Sequence, residues 1–592
     1  MKDFLKNVFS SMVGFFIGIL LLVFLVFIVV VGAISSGEGT AELAGNTVLH
    51  IKLDQPIVER VSENAQQLEL PIFGEEPAIG LKNVIEDIDK ASRDERIEGI
   101  FLDIESIRAS PSSAFDIRNA LEDFKASGKW IVAFSEGLSQ GGYYMASVAD
   151  ELYLYPEGGL EFTGLSAELM FFKNLLDDLE IEIQILRGPD NKFKSAVEPF
   201  MYDKISEANR EQLDALLGDI WNDMLTQISA SRGSSVADLQ QIADSLSIQL
   251  PSDAVSYGLV DATKYRDEVL DILREKMGIE DEGDIDSISL ANYNKVELEE
   301  EDDTKWDSDR VAVIYAVGEI QSGEGDDNTI GSQRIAEALN DARTDKKVKA
   351  IVLRVNSPGG SALASDVIWR QTQLIREDSI PFIVSMGDLA ASGGYYIACG
   401  ADKIYANPGT ITGSIGVFGM MPNLQGFYEN KIGITHDWVT TGAHANLWSM
   451  AKGMDDVQKA AVENSVVAIY ERFTSLVAEG RGMTVNDVDS VAQGRVWSGS
   501  DALEIGLVDE LGNLEDAIEY AAEVAGLENY RTRELPAMLD PIEELMKEMT
   551  GQAAIEREFG TSFPLLQKLQ EAQKILQMEG VQARMPFYID IQ

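Results

Sequence analysis

The sequence has 592 residues, 45% of them hydrophobic, and is therefore long enough for several domains with substantial cores. Its 99 acidic and 48 basic residues give a formal net charge of −51, which repels nucleic-acid phosphates, so we expect no nucleic-acid partner. The single cysteine, Cys399, excludes an intramolecular disulfide and a thiolate zinc cluster, and we interpret it as a small buried apolar residue.

A long apolar stretch lies near the amino terminus, from Met12 to Ile34, and exceeds the ~20 residues needed to cross a bilayer core. Lys2 and Lys6 precede it and acidic residues follow it, which predicts the amino terminus in the cytoplasm and everything after Ser36 outside. A cleaved secretory signal is the alternative, but its apolar core is typically only ~7–15 residues long. We therefore predict residues 1–45 as an uncleaved, single-pass anchor.

The rest of the chain contains one unit twice. Residues 139–158 match residues 391–410 without a gap, and residues 253–261 match residues 501–509. Each copy alternates short apolar strands with amphipathic helices, a pattern typical of βαβ units. The sequence therefore predicts an α/β fold built from two tandem domains.

The predicted boundaries follow from this repeat. The first domain spans residues 46–277 and the second spans residues 309–535. Residues 278–308 include an acidic run and are predicted to be a solvated linker, because like charges repel one another and bury nothing. For the tail, residues 536–592, the pattern favours an extra strand or a subunit contact.

The second copy has a serine at a predicted strand-to-helix turn. Phe382 to Met386 predicts a buried strand, and Ser392 follows shortly, directly before Gly393 and Gly394. At such a turn the hydroxyl can point into a cleft while the backbone N–H of Gly393 faces a developing oxyanion. The first copy has Gln140 at the matching position, which cannot serve as a nucleophile.

A second oxyanion donor is predicted after an earlier strand of the same copy. Asn356 to Gly360 ends in the glycine pair Gly359 and Gly360, which can adopt backbone angles closed to other residues and aim an N–H into the cleft. The first copy has Glu105 to Arg108 at this place, without a glycine. The serine and this donor are thus both expected in the second copy.

The base that would deprotonate Ser392 is less obvious. The chain has three histidines, His50 and His436 in predicted strands and His444 in a predicted loop, and we expect structural roles for all three. Lysine can act instead if burial depresses its pKa of ~10.4 by up to ~3–5 units.

The candidate lysine is Lys194, which stands among apolar and small residues in the run from Phe193 to Phe200. A surface position is the default for any single lysine. Lys192, two residues earlier, provides the natural comparison.

Four motifs together resemble the long form of the signal peptide peptidase A (protease IV) family, peptidase family S49. They are Ala391–Tyr396, Asn356–Gly360, Thr410–Gly416 and Lys194–Phe200. The resemblance covers essentially the whole chain, including the anchor and the duplication. It implies two tandem ClpP/crotonase-like domains with an N-terminal transmembrane helix, and a membrane-anchored serine protease with a Ser-Lys dyad.

Residue roles are carried over by matched motif. Ser392 would be the nucleophile, Lys194 the general base, and Ser414 the residue that hydrogen-bonds and orients the lysine. The implied oxyanion donors are glycines, namely Gly393 together with Gly359 or Gly360.

The resemblance further implies a homotetramer in the bacterial inner membrane, with catalytic domains on the periplasmic side, that cuts signal peptides and other apolar peptides. No cofactor is expected, and metal catalysis is not predicted because the sequence has no His-rich or HExxH spacing. Two alternatives stay open at this point. One is a crotonase-type acyl-CoA enzyme, and the other is a non-catalytic peptide-binding scaffold.

Overall fold

The computed structural model describes residues 14–15, 18, 43–61, 78–188, 191–280, 283–296, 298, 308–539 and, for the backbone alone, 581–584. The predicted anchor, Met12 to Ile34, lies outside these residues except at Gly14, Phe15 and Gly18. Within the described ranges, no helix is both long and apolar enough to cross a membrane.

The first half of the chain builds a parallel sheet flanked by helices. Its strands are β1 (Thr47–Ile51), β2 (Ile57–Val58), β3 (Ile79–Gly80), β4 (Ile97–Asp103), β5 (Trp130–Ser135), β6 (Glu151–Leu154), β7 (Glu182–Arg187), β8 (Ala262–Thr263) and β9 (Ser287–Ser289). Its helices are α1 (Leu81–Arg93), α2 (Pro111–Ala126), α3 (Gln140–Ala146), α4 (Lys173–Asp178), α5 (Glu198–Met201), α6 (Glu207–Arg232), α7 (Val236–Asp244), α8 (Pro251–Ser256), α9 (Arg266–Met277) and α10 (Leu290–Tyr293). The strand order is β8-β6-β5-β4-β1-β9, and β2 pairs with β3 separately.

The second half repeats this plan with a larger sheet. Its strands are β10 (Arg310–Val317), β11 (Glu319–Gln321), β12 (Thr329–Gly331), β13 (Val348–Ser357), β14 (Gly359–Ser361), β15 (Phe382–Ala391), β16 (Lys403–Ala406), β17 (Ile411–Gly413), β18 (Phe418–Asn423), β19 (Val496–Ser498), β20 (Glu510–Leu511), β21 (Arg531–Leu535) and β22 (Val581–Arg584). Its helices are α11 (Ser332–Thr344), α12 (Ala362–Glu377), α13 (Gly393–Ala398), α14 (Asp456–Arg481), α15 (Val485–Val491), α16 (Gly499–Glu504) and α17 (Leu514–Val524). The main path runs β19-β17-β15-β13-β10-β21, with β16 and β20 continuing from β15.

The two longest described helices, α6 and α14, occupy corresponding places in the two copies. Ser206 and Asp455 cap their first turns, each accepting a hydrogen bond from the backbone N–H three residues later. Gly233 and Gly482 end them in left-handed backbone, with φ of 75° and 65°. The local signals that start and stop these helices are therefore the same in both halves.

A third sheet joins the halves. Its order is β12-β11-β14-β22-β18-β7. The edge strand β7 belongs to the first half, and the other five strands belong to the second half. β7 and β18 pair antiparallel from Arg187 opposite Phe418 to Glu182 opposite Asn423. The first-half core also packs against Ala391, Ile411 and Val496 of the second half. The halves therefore share both backbone hydrogen bonds and apolar contacts.

The prediction that residues 278–308 form a solvated linker is wrong for part of this segment. β9 lies inside it and pairs parallel with β1, with Ile288 opposite Leu49. The following helix, α10, buries Tyr293 completely, and the Tyr293 hydroxyl donates to Asp94 Oδ2 at 3.0 Å. This segment supplies the edge strand of the first sheet, a long-range pairing that its acidic composition concealed. The acidic run itself lies mostly outside the described residues.

Candidate active site

Ser392 lies at the junction of β15 and α13, as the sequence predicts, although β15 extends past Met386 to Ala391. Its backbone has φ 56° and ψ −112°, a conformation that a non-glycine residue adopts only at a cost of ~1–3 kcal/mol. Two hydrogen bonds hold this turn. The Ser392 N–H donates to the Gly413 carbonyl, and the Tyr396 N–H donates to the Ser392 carbonyl, both at 2.8 Å. The strained turn keeps the fully buried hydroxyl in a fixed direction.

Lys194 reaches Ser392 from the other half of the chain. It follows β7 and precedes a 3-10 turn at Ser195–Val197. Its Nζ lies 2.8 Å from Ser392 Oγ, 3.0 Å from Ser414 Oγ and 3.1 Å from the Ser414 carbonyl oxygen. The structure thus brings together all three residues of the predicted catalytic set.

The electrostatic environment of Lys194 favours the neutral amine. The side chain is fully buried, and this burial lowers the pKa of Lys194 well below its usual range. A neutral amine has two N–H donors and one lone pair. With the two oxygens of Ser414 accepting the donors, the lone pair is left for the Ser392 hydroxyl proton.

Gly494 makes room for this lysine and was missed by the sequence reasoning. Its φ is +80°, and a Cβ there would lie 2.5 Å from Lys194 Cβ. Beside it, the Ser414 N–H donates to the Arg495 carbonyl at 2.6 Å. A single sequence does not show that a glycine is needed where two backbone segments come close together, because the contacting residue is distant along the chain.

The predicted oxyanion glycines lie next to the serine. Gly359 and Gly360 have φ of 97° and 154°, and a Cβ on Gly360 would lie 2.1 Å from the Ile320 carbonyl oxygen. A Cβ on Gly394 would lie 2.8 Å from the Ser357 carbonyl oxygen, so the start of α13 packs directly against the end of β13. The Gly359 N–H donates to Ser357 Oγ at 3.1 Å in this structure. Both loops therefore require glycine for reasons visible in the backbone.

A slot one strand wide opens beside the serine, between β14 and β18. On one side it begins at Gly359. On the other it begins near Gly416, whose carbonyl oxygen lies 3.5 Å from Ser392 Oγ. β22 fills this slot and pairs antiparallel with both neighbours. An extended segment can therefore lie along the site with hydrogen-bonding edges on both sides.

The other titratable candidates lie elsewhere. His50 is on β1, with Nε2 3.1 Å from Asp103 Oδ2, and His444 is on the surface, 3.5 Å from Asp455. His436 was predicted in a strand, but it lies in an exposed irregular segment and stacks on Trp438. Lys192 is exposed, with its Nζ 4.5 Å from the ring centre of Phe193.

Two further predictions about individual side chains can be compared with the structure. Cys399 is fully buried, as expected, and burial raises the pKa of its thiol to about 12. Gln140, at the position that matches Ser392, accepts hydrogen bonds from the backbone N–H groups of Thr163 and Gly164 at 2.9 and 2.8 Å. The first copy therefore uses this side chain to hold its own loop.

A buried polar cluster, also missed from the sequence, supports the two strands that lead into the site. Arg354 on β13 donates from Nε to Glu59 Oε2 at 3.0 Å and from Nη1 to the Met386 carbonyl at 3.0 Å. Asn356 donates to Glu59 and to Asp388, each at 2.9 Å. Glu59 comes from the first half, so that half holds in place the strands of the second half that lead to Ser392.

Family comparisons agree with this architecture. The family model of Peptidase family S49 matches residues 123–280 and 375–528, and that of Clp protease matches residues 306–410. Protease 4 of Salmonella typhi is 36% identical over 553 residues, covering 89% of this chain and 87% of that protein. Protease 4 of Haemophilus influenzae is 34% identical, covering 85% and 83%, and the chloroplastic serine protease SPPA of Arabidopsis thaliana is 33% identical, covering 86% and 74%.

The chain therefore belongs to peptidase family S49. It is a serine protease with a ClpP-like α/β fold, and the resemblance found in the four sequence motifs is confirmed.

Proposed function

We propose that this serine protease is a membrane-anchored endopeptidase in which Ser392 is the nucleophile and Lys194 is the general base. Its proposed substrates are signal peptides and other apolar peptides in the bacterial inner membrane. The observation that carries the proposal is the 2.8 Å contact between Lys194 Nζ and Ser392 Oγ in a fully buried site.

The proposed reaction begins with neutral Lys194 accepting the Ser392 hydroxyl proton as Oγ attacks the peptide carbonyl carbon. The backbone N–H of Gly393, together with that of Gly359 or Gly360, holds the oxyanion. The protonated lysine then donates to the departing amine, and water hydrolyses the acyl-enzyme. Ser414 is proposed to keep the lone pair of Lys194 directed at Ser392, because it occupies the two N–H donors.

The substrate is proposed to bind as an extended strand in the slot between β14 and β18. Both β14 and β18 would then hydrogen-bond to the substrate backbone, and such bonds give affinity that does not depend on one particular substrate sequence. The occupation of this slot by β22 supports the proposal, because it demonstrates that one strand fits.

The apolar stretch from Met12 to Ile34 is proposed to be the anchor, with the catalytic halves on the periplasmic side. Tethering the protease to the bilayer raises its effective concentration over peptides that stay in the membrane. A homotetramer is part of the same proposal, and the molar mass of the detergent-solubilised chain by light scattering tests it.

The test of the dyad compares three variants in hydrolysis of a synthetic signal peptide in detergent micelles. We expect Ser392→Ala and Lys194→Ala each to lower kcat/KM by several powers of ten, as loss of a nucleophile or its base does elsewhere. Lys192→Ala is the matched control, since its side chain is exposed two residues away, and it should stay within twofold of wild type. Full activity of Lys194→Ala would contradict the assignment of the base.

A second measurement tests the nucleophile directly. A serine-directed phosphonate should label the wild type once, at Ser392, and should not label Ser392→Ala. Wild-type activity without labelling would argue against a covalent serine intermediate.

A further inference from the structure

A buried glutamine on α6, Gln212, lies between the turn that carries Lys194 and the strand that follows Gly494. Its side chain is 1% exposed, and both ends of its amide group make hydrogen bonds. We propose that Gln212 is a positioning residue, which fixes Lys194 against Ser392 by holding the residues on either side of the lysine. This inference rests on the proposed function, because it concerns the placement of the same base.

The donor end of the amide holds both neighbours of Lys194. Gln212 Nε2 donates to the Phe193 carbonyl at 3.2 Å and to Ser195 Oγ at 2.9 Å. Nε2 also lies 2.9 Å from Asn209 Oδ1, so its two N–H groups are shared among three acceptors. Lys194 itself lies outside regular secondary structure. The glutamine therefore supplies hydrogen bonds of the kind that a helix or a strand would give to this turn.

The acceptor end of the amide holds the strand beside Ser414. The N–H of Val496, the first residue of β19, donates to Gln212 Oε1 at 3.3 Å. The carbonyl of the preceding residue accepts from the Ser414 N–H. Val496 also lies opposite Gly413, whose carbonyl accepts from the Ser392 N–H. A single side chain thus connects the turn of the proposed base to the strands that hold Ser414 and Ser392.

The start of α6 gives this amide a fixed support. Gln212 lies in the second turn of the helix, and Ser206 caps the first turn. Glu198, which follows the lysine turn, accepts from Ser206 Oγ at 2.5 Å and from Asn209 Nδ2 at 3.0 Å. The start of the helix and the lysine turn are therefore one buried hydrogen-bonded unit, and Gln212 reaches from this unit to the second half of the chain.

Glutamine suits this place because partners of both kinds are present. Nε2 faces acceptor oxygens, and Oε1 faces an N–H group. Leucine can neither donate nor accept, so Gln212→Leu would fill much of the same space and leave these partners unpaired. The turn would then hold Lys194 less firmly, and a displacement of ~1 Å at a reacting group can lower the rate about a hundredfold.

The experiment measures kcat and KM for hydrolysis of a synthetic signal peptide in detergent micelles by wild type, Gln212→Leu and Gln140→Leu. Gln140→Leu is the matched control, because Gln140 is also a buried glutamine that makes hydrogen bonds from both ends of its amide, but within the first copy. We expect Gln212→Leu to lower kcat about a hundredfold and to leave KM within about twofold of wild type, since β14 and β18 form the proposed substrate slot.

The control should keep both constants within about twofold of wild type, because its lost hydrogen bonds hold only the loop of the first copy. An equal loss of kcat in the two variants would show that a buried glutamine matters only for general stability, and would overturn the proposal.

The pH profile of kcat is a second readout, which a purely structural role would not move. If Gln212→Leu loosens the lysine turn, water reaches the amine and the pKa of Lys194 rises towards its ordinary value. The midpoint of the profile should therefore move to higher pH by about one unit or more, while Gln140→Leu keeps the midpoint of wild type. An unchanged midpoint in Gln212→Leu would overturn the proposal.

A milder variant, Gln212→Asn, decides the question if Gln212→Leu does not fold. It keeps the amide but is one methylene shorter, so it cannot hold both sides, and we expect kcat to fall at least about fivefold. Lys194→Ala is assayed in parallel. Full activity of Lys194→Ala would overturn the proposed function itself, whereas an inactive Lys194→Ala with a fully active Gln212→Asn would overturn the positioning role alone.

Discussion

At the residue scale, the proposed chemistry depends on one buried lysine whose pKa is lowered. Lys194 is enclosed completely, and its described neighbours offer it oxygens of Ser414 and Ser392 but no carboxylate contact. Burial alone accounts for the lowered pKa of Lys194. The strained turn at Ser392 fits the proposed role of Lys194 as the base, because it holds the hydroxyl in a fixed direction next to the lysine amine.

The lowered pKa predicts how activity depends on pH. Only the neutral amine can accept the proton, so kcat/KM should rise as pH rises through the lowered pKa of Lys194 and then level off below the ordinary lysine value of ~10.4. The measurement is the initial rate of peptide hydrolysis between pH 5 and pH 10. Lys192→Ala should give the same curve as wild type. A rate that does not change across this range would count against a lysine base.

Gly494 gives a second prediction at this scale. A Cβ at this position would lie 2.5 Å from Lys194 Cβ, so Gly494→Ala should displace the lysine and lower kcat at least a hundredfold. Gly482→Ala is the matched control, since Gly482 also has positive φ but nothing lies within 4 Å of its added Cβ. That control should lose ~1–2 kcal/mol of unfolding free energy from the left-handed backbone and keep its kcat. Similar kcat values in the two variants would show that Gly494 does not position the base.

At the scale of elements, the third sheet carries the site. β7 brings Lys194 to the second half, β14 and β18 form the edges of the slot, and β22 lies between them. β22 and an incoming peptide need the same backbone partners, so they should compete for the slot.

This competition is measurable in the Ser392→Ala background, which lacks the proposed nucleophile. A variant that ends at Gly580 should bind a signal peptide with a Kd at least tenfold lower than the variant with its tail. Fluorescence anisotropy of a labelled peptide gives both values. An unchanged Kd would mean that the tail does not occupy the peptide site in solution.

The elements also show what could be predicted from one sequence. The duplication, the parallel sheets and the turn at Ser392 follow from apolar periodicity and from small residues at a fixed spacing, both of which are local signals. The apolar surroundings of Lys194 are local too, and they made it a candidate, but its proposed role came from the family resemblance. The pairing of β9 with β1, the insertion of β22 and the contact of Gly494 with Lys194 join distant parts of the chain, and no local pattern encodes such partners.

On the scale of the whole molecule, the two halves meet through a buried polar cluster close to the site. Asp116 of the first half accepts from Asn407 at 2.8 Å, and its other oxygen lies 3.9 Å from an Arg354 nitrogen. Burial raises the pKa of Asp116 to about 7. The carboxyl group is therefore neutral in acid and ionised in mild alkali, inside the contact between the halves.

This predicts a pH-dependent stability that one substitution should remove. The folded pKa of Asp116 lies above its unfolded value of ~3.9, so its contribution is fully present below pH 4 and is lost as pH rises through about 7. Asp116→Asn keeps a neutral side chain at every pH. Between pH 5 and pH 8 its free energy of unfolding should therefore rise relative to that of wild type by on the order of 2–3 kcal/mol. Melting temperatures at the two pH values provide the measurement.

The control is Asp123→Asn, on the exposed face of the same helix, which should follow wild type at both pH values. If the melting temperature of Asp116→Asn differed from that of wild type by the same amount at pH 5 and at pH 8, the titration of Asp116 would not be the cause of the pH-dependent stability.

The division of the proposed dyad between the two copies has a consequence for the newly synthesised protein. Lys194 and Ser392 are 198 residues apart, and the strand pairing that unites them needs both copies to have folded. If the dyad is as proposed, a ribosome that has completed only the first copy has made a polypeptide that lacks the nucleophile. On this proposal, peptidase activity would begin late in synthesis, after the second copy has folded against the first.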